Sequence, residues 1–131
     1  MDSIPDRWPP TEDDVQSMVA PLFPLADVWL FPGHVMPLHI FEPRYRRMIE
    51  ASLDGPGRIV LGTVVKGHEN RMNGSPPVHS MAGLGEIGRH DRLADGRFLI
   101  MLVGICRVRI REVDSDELYR QVEAEPVREA Q

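Results

Sequence analysis

The chain has 131 residues, of which 42% are hydrophobic and 27% charged. That is one domain of common size with an ordinary core, and it excludes a disordered tail or a membrane-spanning bundle. Twenty acidic side chains against fifteen basic ones leave a net charge of −5, which argues against nucleic acid or an anionic membrane as the default partner.

Residues 1–20 read as a leader. MDSIPDRWPP is polar and proline-rich and has no apolar core of a signal peptide. A short helix is expected over 11–20, because Thr11 and Asp14 have capping-box spacing and Val15, Met18 and Val19 follow at helical spacing. Pro21-Leu22-Phe23-Pro24-Leu25 reads as an edge strand, since proline cannot donate to a central ladder. Val28-Trp29-Leu30-Phe31 is a β-prone run, Pro32-Gly33 a turn, and Val35 to Phe41 an extended segment.

Glu42-Pro43 opens the one principal helix, predicted over 43–53. Proline suits the first helical position, and a glutamate suits the positive end of the dipole. Tyr45, Met48, Ile49 and Leu53 form a single apolar stripe. Arg58 to Lys66 reads as a buried strand, 67–82 as a long polar loop, and 83–93 as a weaker strand. Ala94-Asp95-Gly96 marks a hairpin turn.

The longest strand signal is 98–113. Its first half is apolar on both faces, whereas its second half alternates Cys106, Val108 and Ile110 with Arg107, Arg109 and Arg111. That switch suits a bent strand of a small barrel. A last strand is expected over 119–127, with 128–131 as a tail. Gly and Pro total 23 residues and favour this many-stranded reading.

The catalytic motifs are missing. The chain contains no phosphate-binding glycine loop, no dinucleotide turn and no nucleophile elbow, so no catalytic residue and no cofactor is expected. The five histidines lack zinc-ligand spacing, and no metal is expected. The single Cys106 excludes a disulfide framework, fits a reducing, cytoplasmic setting, and reads as a buried, inert core residue. The arginine ladder reads as a solvated face answered by Glu86, Glu123 and Glu125.

A candidate polypeptide-binding surface combines the 31–36 turn with the 67–82 loop. Its residues are Phe31, His34, Met36, Met72 and Met81. Methionines adapt to varied apolar partners, and loops of this length are usually functional or disordered.

Beyond composition, the run PLFPLADVWLFPGHVMPLHIFEPRYRRMIEASL carries Phe31-Pro32-Gly33, Pro37-Leu38 and Ile40-Phe41-Glu42-Pro43-Arg44-Tyr45. Gly85-Glu86-Ile87-Gly88, the 93–97 hairpin and Val103 to Ile110 follow in order. Over about 21–127 this set resembles the N-terminal substrate-binding domain of Lon proteases, with Ile40 to Tyr45 similar to the version found in stand-alone Lon-domain proteins; the chain reads as either a fragment or a reduced stand-alone domain. The resemblance implies a mainly β, PUA-like pseudo-barrel of about six strands with one helix. It also implies a non-catalytic module that recognises unfolded or partner polypeptide, because the ATPase and Ser–Lys peptidase motifs of full Lon proteases have no counterpart here. An RNA-binding PUA-like module is the alternative.

Overall fold

A computed structural model describes residues 10–128; the leader segment 1–9, with Trp8, and residues 129–131 of the tail lie outside the described residues. Six strands and one helix follow in the order β1 (Met18–Leu25), β2 (Val35–Ile40), α1 (Pro43–Leu53), β3 (Arg58–Thr63), β4 (Met81–Arg92), β5 (Phe98–Val113) and β6 (Gln121–Pro126). The sheet order is β2-β5-β4-β3-β1-β6, and β5 also pairs with β6. Five strands therefore close into a ring, with β2 attached outside it along the first half of β5. The fold is the expected mainly β pseudo-barrel.

β5 makes the closure possible. Its residues 98–103 pair with β2, while 108–113 pair with β6. β4 runs beside most of its length, with register shifts at Leu84/Gly85 and Ile87/Arg89. Such irregularities increase local twist and bend a ribbon into a barrel.

Two apolar clusters fill the interior. One gathers Phe23, Leu30, Tyr45, Met48, Ile49, Leu61 and Leu102 beneath the helix. The other gathers Val15, Leu22, Val60, Leu84, Cys106, Val108 and Val122 at the far end. α1 spans the predicted residues and buries Tyr45, Met48 and Ile49. Leu53 is only half-buried, and Ser52 is buried in its place. Glu42 occupies the N-cap, its carboxylate pairing with Arg44 at 3.2 Å.

Three expectations are corrected. The helix over 11–20 is a single 3-10 turn, Glu12–Asp14. Asp14 does accept the Thr11 N–H at 2.9 Å, but the chain then extends so that Val15 enters the core and Met18 to Ala20 open β1. The local cap forms, and the tertiary burial of Val15 overrides the helix beyond it.

β1 is also not an edge strand. Residues 18–21 pair with β6 and residues 22–25 with β3. The strand exchanges partners midway, so each proline sits in a half that has a registered neighbour on one side. That arrangement tolerates a missing N–H.

The β-prone run Val28 to Phe31 forms no strand. It crosses over the sheet, and Leu30 drops into a slot between β4 and β5 floored by Gly83, Gly85 and Gly104. A side chain at Gly83 would collide with the Leu30 carbonyl, and one at Gly104 with the Phe31 carbonyl. The crossing is fastened by backbone bonds from Gly33 N–H to Gly104 O (2.9 Å) and from Gly104 N–H to His34 O (2.8 Å). Thr63 Oγ1 donates to Val28 O. The Pro32-Gly33 turn forms as read, with Gly33 at φ 84° and His34 N–H bonded to Phe31 O.

The long loop is held rather than loose. Val64 and Val78 bridge, Arg44 donates to the carbonyls of Met72 and Gly74, and Arg120 donates to Pro76 O at 2.7 Å. Arg120 also grips both carboxylate oxygens of Glu112, at 2.7 and 3.0 Å. This hydrogen-bonded guanidinium holds the Glu112 carboxyl below its ordinary range. A depressed carboxylate stabilises the fold above its unfolded pKa and loses that contribution as pH falls through the folded one. Glu112 is half-exposed, so Glu112→Gln is expected to cost at most about 1 kcal/mol at neutral pH. The difference from the parent should shrink in acid melts as pH falls through the lowered range of the folded Glu112 carboxyl.

Cys106 is buried in the second cluster, and burial pushes its thiol up to about 11. At pH 8 a thiol reagent should label the native protein at the rate of global unfolding, and only the denatured chain rapidly.

Candidate polypeptide-binding face

The five residues read from the sequence do not converge. Phe31 and His34 meet edge to face, 5.5 Å apart, on the exposed turn that enters β2. Met36 lies one register step further, half-buried and packed against the first cluster. Met72 is half-buried in the long loop where Arg44 holds its carbonyl. Met81 pairs with Arg109, whereas Met36 pairs with Leu102. Those two methionines are thus separated by about 23 Å of β5, at about 3.3 Å per residue.

A different surface is exposed and apolar. Along β2, Val35, Pro37 and His39 alternate outward while Met36, Leu38 and Ile40 turn inward. Phe41 continues the outward series and is 58% exposed. Pro37 stands opposite Met101, and Met101 opposite Arg89; His39 stands opposite Leu99, and Leu99 opposite Asp91. Leu99 and Met101 are 44% and 36% exposed. These two rows line a groove of about 410 Å³ on the outer face of β2, β5 and β4. The Phe31–His34 turn stands at one end of the β2 strip and Phe41 at the other.

The sequence reading missed this groove because 98–103 is apolar on both faces, which reads as burial on both. Among the described residues, however, β2 has no second layer over its outer face. The only signal was the outward series Val35, Pro37, His39 and Phe41, at period two within a segment that contains a proline.

The rim charges pair among themselves: Arg89 with Asp91 at 3.7 Å, Arg97 with Asp95 at 2.7 Å, and Arg92 with Glu50 at 2.7 Å. Arg97 Nη1 also lies 3.1 Å from His39 Nε2. Arginine only donates, so the imidazole nitrogen is the acceptor in that contact. On the opposite half of β5, Arg111 pairs with Glu123 at 3.1 Å, and Arg109 stands opposite Glu125. Glu86 pairs with Arg58 at 3.2 Å.

A family model described as the ATP-dependent protease La (LON) substrate-binding domain matches residues 19–131. The chain belongs to this Lon substrate-binding domain family. It is 27% identical over 110 residues to the Lon protease of Xanthomonas oryzae pv. oryzae, a match covering 84% of this chain and 13% of that protein. It is 26% identical over 130 residues to the Lon protease of Desulfovibrio desulfuricans, covering 99% of this chain and again 13% of the relative. The chain therefore spans about an eighth of the length of these Lon relatives.

Two solved Lon N-terminal domains share its fold. A Lon N-terminal domain protein from Xanthomonas campestris superposes with a TM-score of 0.68 at 22% identity, covering 85% of this chain and 60% of that one. The N-terminal domain of Mycobacterium avium complex Lon protease gives 0.65 at 20% identity, covering 87% and 57%. The family is the substrate-binding, non-catalytic part of Lon. Among the described residues, no helix is long and apolar enough to cross a membrane.

Proposed function

We propose that this domain is a cytoplasmic, non-catalytic recognition module that binds unfolded or exposed polypeptide segments on the outer face of β2, β5 and β4. The observation that carries the reading is the exposed groove of Pro37, Leu99 and Met101, flanked by Val35 and Phe41. A contiguous apolar face of this kind on a soluble fold marks an interaction site. The family relationship supports polypeptide as the partner. Phe31 and His34 extend the face at the entry to β2, whereas Met36, Met72 and Met81 fall outside the proposed contact.

The arginine ladder gives the RNA alternative no support, because Arg109 and Arg111 face acids across the strand and the chain as a whole is acidic.

The test is capture of a permanently unfolded probe, reduced and carboxymethylated lactalbumin, by immobilised protein, with its native form as control. Retention of the unfolded probe alone is expected. Equal retention of both forms, or of neither, would contradict the reading. The same preparation should hydrolyse neither ATP nor casein, measured by phosphate release and by peptide release.

A further inference from the structure

Building on the reading of the groove as a polypeptide site, we propose that it takes neutral, apolar, extended segments through their side chains, and that Pro37 prevents the open edge of β2 from taking them through their backbone. In an antiparallel pair, alternate residues direct their N–H and C=O groups toward and away from the neighbour. Gly104 N–H donates to His34 O, so His34, Met36, Leu38 and Ile40 address β5. Val35, Pro37 and His39 address the other edge, and among the described residues no strand pairs with it. An exposed edge of this kind is a template for strand addition by a substrate or by a second copy of the chain.

Pro37 sits at its centre and has no N–H. An added strand would find a donor at Val35 and at His39 and none between them. The edge is interrupted while the side-chain face directly above it stays open, since Pro37 itself lines the groove.

The charge pattern selects the occupant. Each rim arginine already has its own carboxylate, and Arg97 also reaches His39 Nε2 at 3.1 Å. A charged peptide gains no partner here and loses hydration on entering. An uncharged segment with alternating apolar side chains has no charge to desolvate and buries Leu99 and Met101.

The experiment uses the full chain and three versions of one uncharged nine-residue peptide rich in Leu and Phe: unmodified, N-methylated at odd positions, and N-methylated at even positions. Affinities are read by fluorescence anisotropy, with Pro37→Val as the second protein and melting as the folding control. Both methylated peptides are expected to bind the parent within about threefold of the unmodified one. Pro37→Val should then discriminate against one methylated series by about tenfold, the fold-change of one or two net hydrogen bonds. It should also self-associate in sedimentation velocity at concentrations where the parent is monomeric. A tenfold loss on methylation with the parent protein would overturn side-chain capture. A Pro37→Val variant that is folded, monomeric and indifferent to methylation would overturn the role of Pro37, whatever the site binds. If no peptide binds the parent while Pro37→Val still self-associates, the groove reading fails and the edge argument stands.

Discussion

Gly104→Ala is expected to cost about 3 kcal/mol or more and to lower the melting temperature by more than about 10 °C. The added Cβ would be driven into the Phe31 carbonyl. The usual relief, a small shift of the neighbour, is blocked because the crossing segment is tied to the same residue through Gly33 N–H and His34 O. Moving Phe31 away breaks those bonds and lifts Leu30, a residue 4% exposed, out of its slot. Leu30→Ala removes the plug from the other side and should cost about 2–5 kcal/mol. If both lesions act by freeing the crossing segment, the double variant should be less destabilised than the sum of the singles. Chemical denaturation of the four proteins measures this. A Gly104→Ala protein as stable as the parent would show that the segment packs more loosely than described.

The second large effect concerns binding rather than stability. Leu99→Ser with Met101→Ser removes the apolar floor of the groove. Both side chains are substantially exposed, so little buried area is lost on folding, and the melting temperature should fall by no more than about 5 °C. Capture of carboxymethylated lactalbumin should weaken at least about tenfold, since two central apolar anchors are lost. The matched control is Met72→Ser with Met81→Ser, on half-buried residues away from the groove. This variant should keep the parent's affinity. The opposite pattern would return the site to the long loop.

Much of the fold was legible because its signals are local. Pro43 at the first helical turn and the Tyr45/Met48/Ile49 stripe need only the next eleven residues to be interpreted. The arginine alternation of β5 announces one solvated face within a single strand. What was not legible depends on residues distant in sequence. Val28 to Phe31 has strand propensity, but its path is set by Gly83, Gly85 and Gly104, which open space for Leu30. The prolines of β1 suggest an edge strand, and only the exchange of partners between β6 and β3 places it inside the ring. The groove was hidden for a related reason. Leu99 and Met101 alternate with Ile100 and Leu102, and nothing in that run tells which face the rest of the chain leaves uncovered. Methionine chemistry suggests one adaptable apolar surface, whereas the topology sets Met36 opposite Leu102 and Met81 opposite Arg109, far apart along β5.

The central claim, that polypeptide is held on the outer face of β2, β5 and β4, is tested most directly by mapping amide chemical-shift changes on isotopically labelled protein during titration with the carboxymethylated probe. The account predicts shifts concentrated at Val35, His39 and Phe41, at Arg89 and Asp91, and at Leu99 and Met101, with the arginine face of β5 unmoved. Shifts centred on Arg107 to Arg111 and Glu123 to Glu125, or on Met72 and Met81, with the groove residues silent, would contradict it.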